Sequence, residues 1–182
     1  MRMEKESGKD MTKIIGSILV VFATSMIGIL AASGLDEQYN EIKYLRQMLY
    51  ILQSEIQYSR TYLAEAFSNI SGFVKSPYNA WLRQLYIKLE GKQDGNLDRI
   101  WRETIEEYLI DVKIPERQKQ QLKELGVCLG CADIRVQMKY MELLGEQLEI
   151  AMAEMREELN EKKRLCKCIG IVSGIFIAIL LI

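Results

Sequence analysis

The residues with the greatest chemical potential are Cys128-Leu129-Gly130-Cys131, a C-x-x-C spacing. Two thiols three positions apart suit a dithiol–disulfide couple, or half of a tetrahedral zinc site when a second pair supplies the other ligands. Cys166 and Cys168 are the other two of the chain's four cysteines. A helix that begins at Asp133 and carries residue 166 would separate residues 131 and 166 by about 50 Å along its axis. One mononuclear site built from both pairs within one chain is therefore excluded. Reduced structural cysteines are the better reading, with a redox role left open for Cys128 and Cys131 alone, and no cofactor is expected.

Carboxylates cluster at Glu103, Glu106 and Glu107 and again at Glu154, Glu157, Glu158 and Glu161. Paired carboxylates can divide the roles of acid and base, but Lys and Arg lie among or close to these, and the spacing is that of solvated helix faces. The chain has no histidine, which removes the usual general base near neutral pH, the Ser-His and Cys-His pairs and every His-ligated metal site. It has neither a Gly-rich phosphate loop nor a G-x-S-x-G elbow. A non-enzyme with no small-molecule substrate is the expectation. Residues 36–164 carry 19 basic and 22 acidic side chains, so no large cationic field exists to hold a phosphate backbone, and nucleic acid is disfavoured as a partner.

The elements that would carry these residues are helices. At 182 residues, rich in Leu, Ile, Glu, Lys, Gln and Met and with two prolines, the chain suits one all-α domain with flanking segments. Tyr39, Ile42, Leu45, Leu49, Leu52 and Ile56 recur at three-and-four spacing and predict an amphipathic helix. A second is marked by Leu63, Ala66, Phe67 and Ile70 and ends near Gly72; a third opens at Pro77 and carries Trp81, Leu82, Leu85 and Leu89 up to Gly91. After a loop over residues 91–96, Leu97, Ile100, Trp101, Ile105, Tyr108 and Leu109 mark a fourth. Pro115 opens a fifth, expected to stop at Gly126, with Cys128, Gly130 and Cys131 in the connection that follows. Asp133 is a plausible N-cap for a sixth, whose apolar positions run from Ile134 through Leu159 without a breaker, toward the apolar end of the chain. That helix is expected to pack on the first.

Both ends read as membrane segments. Residues 14–35 carry no charge over 22 positions, about 33 Å of helix against a hydrocarbon core of about 30 Å. The competing reading is a cleaved signal peptide ending near Ala31, Ala32 and Ser33, but h-regions are usually only about 7–15 residues long. Residues 165–182 are apolar except for Lys167, about 27 Å of helix; a terminal run without a polar face suits lipid better than a soluble core. Small residues recur four apart, Thr24, Gly28 and Ala32 in the first and Gly170, Gly174 and Ala178 in the second, a pattern that lets membrane helices approach closely. Lys162, Lys163, Arg164 and Lys167 beside the second segment place the central domain in the cytoplasm by the positive-inside rule. Arg2, Lys5, Lys9 and Lys13 pull the other way, less so if translation starts at Met11. The expected organisation is a flank at 1–13, a transmembrane helix at 14–35, a helical domain at 36–164 and a transmembrane helix at 165–182 that continues the last domain helix, giving a two-pass membrane protein in contact with lipid.

A set of short motifs runs through this framework in order. It comprises Ala23-Thr24-Ser25-Met26-Ile27-Gly28, Leu45-Arg46, Leu52-Gln53-Ser54-Glu55-Ile56-Gln57-Tyr58 and Leu63-Ala64-Glu65-Ala66-Phe67. It continues with Leu129-Gly130, Asp133, Gln137, Lys139, Leu148-Glu149 and Asn160-Glu161-Lys162. From about Met11 to its end the chain resembles the stage III sporulation protein AB family of endospore-forming bacteria, itself similar in its soluble region to type II secretion system F-domain proteins. Tyr62 in place of an expected proline, Leu165-Cys166-Lys167-Cys168 in place of an aromatic-basic approach to the membrane, and the extension 1–10 depart from the pattern.

The resemblance implies a six-helix bundle, type II secretion F-domain-like, and a structural role in the mother-cell channel assembly that spans toward the forespore. Its implied partners are other sporulation channel proteins and an associated cytoplasmic ATPase, for which the domain would be a membrane platform. Glu55, Glu65, Asp133, Gln137 and Lys139 are the family-motif positions through which partners would be contacted. Two other readings remain open on the residues alone: a membrane-tethered thiol protein using Cys128 and Cys131, and a dimerising membrane adaptor using the long last helix.

Overall fold

The computed structural model describes residues 16, 22, 26, 33–57, 62–91, 96–131 and 133–181, with side chains beyond 162 described only at 164, 165, 168, 169 and 172. Six helices and no strand occur among the described residues. Helix α1 covers 33–57, followed by α2 (Leu63–Ser71), α3 (Tyr78–Glu90), α4 (Leu97–Tyr108), α5 (Glu116–Leu129) and α6 (Ile134–Leu181). The chain divides into two units: Gln38–Ala153, and Met1–Glu37 with Glu154–Ile182.

The larger unit is organised by the three-and-four spacing of its apolar residues. Ile42, Leu45, Leu49, Leu52 and Ile56 of α1 are all buried, as are Ala66, Phe67 and Ile70 of α2 and Tyr78, Trp81, Leu82 and Leu85 of α3. Each such aliphatic side chain taken from water contributes roughly 1.5–3 kcal/mol, so these faces, not helix propensity, hold the short helices in place. The centre is aromatic. Trp81 and Trp101 meet edge-on with ring centroids 4.8 Å apart, and Phe67 lies 5.8 Å from Trp101. Both buried indoles are satisfied: Trp81 Nε1 donates to Thr104 Oγ1 at 3.1 Å and Trp101 Nε1 to Leu122 O at 2.7 Å. Thr104 in turn donates to Ile100 O within its own helix, so its hydroxyl relays between α3 and α4.

Polar contacts fix the remaining junctions. Glu41 of α1 accepts from Lys75 Nζ at 2.8 Å and from Tyr78 Oη at 3.0 Å, while Tyr44 Oη takes the Lys75 N–H at 2.6 Å. These tie α1 to the turn between α2 and α3. Burial and then the Glu41 charge push the Tyr78 phenol well above its ordinary range, so it stays a donor. Glu106 on α4 bonds Lys123 of α5, which holds its carboxyl below the usual carboxylate range.

One helix boundary differs from the sequence expectation. Helix α5 does not stop at Gly126 but runs to Leu129, capped by Gly130. Gly126 is there for a different reason: a Cβ at this position would stand 2.6 Å from Trp101 Cδ1, so the glycine lets α5 approach the indole. Cys128 accordingly sits in the last turn of α5, and of the three residues expected in the connection only Gly130 and Cys131 remain there.

In the other unit, Leu159 is buried and Glu158 pairs with Lys162 one turn on, at 2.8 Å. Among the described residues no helix is long and apolar enough to cross a membrane. The expected span 14–35 is described only at 16, 22, 26 and 33–35, and most side chains of 165–182 lie outside the described set.

Candidate interaction surfaces of the helical domain

Helices α1 and α6 run antiparallel and leave a groove between them. Arg46 Nη2 meets Glu149 Oε2 at 2.8 Å, while Gln53 shares the lining with Glu142. As the numbers rise along α1 they fall along α6. One stretch of the groove, about 710 Å³, is lined by Lys43, Arg46, Tyr50 and Gln53 of α1 and by Met141, Glu142, Gly145, Glu146 and Glu149 of α6. A second, about 700 Å³, shares Gln53 and Glu142 and continues past Gln57 to Met138, Lys139 and Arg135.

The α6 wall is a stripe of charges at three-and-four spacing, Arg135, Lys139, Glu142, Glu146 and Glu149. It is two-signed along its length and faces Lys43 and Arg46 at one end. The Arg46–Glu149 pair is solvent-exposed on both sides, so it contributes only about 0–1 kcal/mol and is easily exchanged for a partner's charge. Tyr50 is 73% exposed on the rim. An open, two-signed groove with an exposed tyrosine suits a protein surface better than a small molecule, which needs an enclosed, mostly apolar pocket.

The residues singled out by sequence fall on three parts of the domain. Glu55 accepts from Asn69 Nδ2 at 2.9 Å and so joins α1 to α2. Asp133 is the N-cap expected of it, accepting the Arg135 N–H at 2.9 Å. The Arg135 side chain, then its N–H, holds the Asp133 carboxyl below the usual range. Gln137 Nε2 reaches back to Leu129 O at 2.9 Å and Cys131 O at 2.6 Å, satisfying carbonyls at the end of α5 from the first turns of α6. Lys139 pairs with Glu142 inside the groove wall at 3.0 Å, and Glu65 is exposed on α2. Thus Asp133, Gln137 and Lys139 come together at the α5–α6 turn and the adjoining groove, whereas Glu55 and Glu65 lie on α1 and α2. Thr24, Gly28 and Ala32 fall outside the described residues; Gly170, Gly174 and Ala178 lie on α6, with nothing beyond their helical backbone described.

Cys128 and Cys131 are both free. Burial, and next the neighbouring Cys131, raise the Cys128 thiol above its ordinary value, the opposite of what an attacking thiolate needs. No cluster of three or more metal-ligating side chains occurs among the described residues. Sequence reasoning missed Tyr50 and Gly145 in the groove. The signal available for the groove was the charge stripe on α6, which the eye passes over as solvated surface.

The profile of the family described as Stage III sporulation protein AB (spore_III_AB) matches residues 13–182. The chain belongs to the stage III sporulation protein AB family. A relative, the Stage III sporulation protein AB of Bacillus subtilis (strain 168), is 25% identical over 171 residues, covering 94% of this chain and 99% of its own length. A solved structure titled Stage III sporulation protein AB (SpoIIIAB) superposes with a TM-score of 0.61 at 23% identity, covering 68% of this chain and 97% of that one. At that identity the likeness establishes the fold, an all-helical one shared with the stage III sporulation protein AB structure.

Proposed function

We propose that this protein is a non-enzymatic platform subunit of a sporulation channel assembly, held in the mother-cell membrane by apolar segments at 14–35 and 165–182. Its helical domain, residues 36–164, docks a cytoplasmic ATPase and other channel components. The observation that carries this reading is the family match over residues 13–182, which takes in both apolar stretches as well as the domain between them. The two-signed α1–α6 groove supports it from the side of geometry, because its charges are paired weakly and are exchangeable. The ATPase itself is inferred by analogy with secretion F-domain proteins.

The test is affinity purification of the tagged full-length chain from membranes of sporulating cells. Recovery of an ATPase and channel subunits in stable proportion is the expected result. A chain found in the soluble fraction, or membrane recovery with neither class of partner, overturns the reading. Orientation is read from Cys131, which is exposed: as the sole cysteine in intact protoplasts it should resist a membrane-impermeant maleimide until the cells are opened.

A further inference from the structure

The unit Gln38–Ala153 has one end from which both of its chain connections leave. Helices α1 and α6 run antiparallel, paired by Arg46 and Glu149, so Gln38 and Ala153 lie toward the same end. Two loops share that end. The turn 72–77 between α2 and α3 is held there by α1, where Glu41 accepts from Lys75 and Tyr78 and Tyr44 accepts the Lys75 N–H. The connection 109–115 leads into the start of α5. A short turn joins α5 to α6, and Gln121 and Gln147 line one concavity, so the two helices are antiparallel and α5 begins toward the Ala153 end.

Each loop holds a large apolar side chain out while burying its neighbours. Phe73 is 86% exposed beside Val74 at 8%, and Ile110 is 65% exposed beside Leu109 at 0%. The buried neighbours fix the direction of the exposed residues, and the backbone is braced around them: Phe73 N–H donates to Ile70 O at 3.0 Å and Val112 N–H to Leu109 O at 3.4 Å. One exposed apolar residue needs no explanation. Two, braced at the tips of the two loops beside the chain exits, call for an apolar surface at that end. The chain supplies one within reach: Gln38 follows the uncharged stretch 14–35 by three residues, at most about 11 Å of chain. Charges beside the tips are balanced, since Lys75 pairs with Glu41 at 2.8 Å and Lys113 lies between Asp111 and Glu116 in the sequence. Apolar contact, not attraction to anionic headgroups, is therefore what this end offers a bilayer.

We propose that this end of the domain rests on the membrane surface, with Phe73 and Ile110 inserted among the lipid headgroups beside the chain exits. The proposal rests on the reading of 14–35 as a membrane span, and it assigns the domain a lipid-facing surface. A domain held only by its chain exits is free to tilt. Two further contacts fix its attitude, so that Tyr62 and the α5–α6 turn point away from the bilayer.

The experiment uses the full chain with its four cysteines replaced by serine, reconstituted in phosphatidylcholine vesicles. A nitroxide is attached singly through F73C, I110C, Y62C or F22C, and its collision rates with oxygen, which partitions into lipid, and with a water-soluble nickel chelate are compared. Tyr62 is the control for exposure alone, being 86% exposed at the other end of α2; Phe22 lies within the stretch 14–35. Both labelled tips point outward, so the fold should be kept, which the emission of buried Trp81 and Trp101 checks in each labelled chain. The oxygen-to-nickel ratio at 73 and at 110 should exceed that at 62 several-fold and should be unmoved by high salt. Ratios equal to that at 62, while the label at 22 meets oxygen, overturn the proposal and leave the membrane span standing. A high ratio at one tip alone also overturns it. Dipolar broadening at 73 or 110 would mean that a second copy of the chain covers the tips, and the proposal falls. An aqueous label at 22 removes both the span and the surface.

Discussion

Trp101 and Gly126 are fitted to each other: the indole Cδ1 occupies the space 2.6 Å from where a Cβ on Gly126 would stand. One turn earlier on the same face of α5, Leu122 O accepts from Trp101 Nε1 at 2.7 Å. The ring thus lies along the α5 backbone, pinned at 122 and given clearance at 126. Because Trp101 also packs on Trp81 and Phe67, this contact joins α5 to the aromatic centre of the domain.

Gly126→Ala should therefore destabilise the domain. Alanine gains helix propensity, but the added methyl meets a buried ring hemmed in on its other sides, and overpacking of this kind costs about 1–3 kcal/mol. Chemical denaturation of the purified chain measures it, with a lower midpoint expected. A midpoint equal to or above that of the parent would mean that the indole can move aside at little cost.

Gly145→Ala should act in the opposite direction. It too is a glycine inside a helix, yet a Cβ there meets nothing within 4 Å. Relief of the helix-interior glycine is worth about 0.5–1 kcal/mol, so the same denaturation experiment should give a higher midpoint. Because Gly145 lines the α1–α6 groove, the fold has no need of it. If the more stable variant also recovers less partner from cells, the glycine is kept for a close approach from outside.

The contrast between these glycines shows where sequence reading reaches its limit. Ile42 to Ile56, Phe67, Trp81 and Leu122 are legible as core because burial repeats with the helix period, and Asp133 is legible as a cap because its role is local. Gly126 reads as a stop because a glycine after Leu125 looks the same whether it ends a helix or admits a ring. The ring belongs to Trp101, which no local window includes. Gln137 is legible as a motif residue, but its bonds to Leu129 O and Cys131 O depend on how α6 turns back on α5.

Asp133 gives a pH-dependent prediction. Its folded pKa lies below the ordinary carboxylate value because of Arg135. Its stabilising contribution is therefore present above the ordinary carboxylate range and is lost as pH falls through the depressed folded value. The D133N variant would keep a good N-cap and lose only the charge, whereas D133A would lose both. Melting temperatures at neutral pH should fall in the order parent, D133N, D133A. The gap between parent and D133N should close on acidification. A gap that persists once the carboxylate is protonated would rule out the Arg135 pairing as its source.

The C-x-x-C pair gives the last prediction. Cys131 is exposed, whereas Cys128 is half-buried in the last turn of α5 and its thiol is pushed up chiefly by that burial. Since the thiolate is the reacting species, a chain with Cys131 as its sole cysteine should react with a maleimide near neutral pH several-fold faster than one with Cys128 alone. The rate at Cys128 should keep climbing at pH values where an ordinary thiol has levelled off. A working redox pair requires the reverse, one thiol held as an accessible thiolate. Equal rates, or a faster Cys128, would favour the thiol reading of this protein.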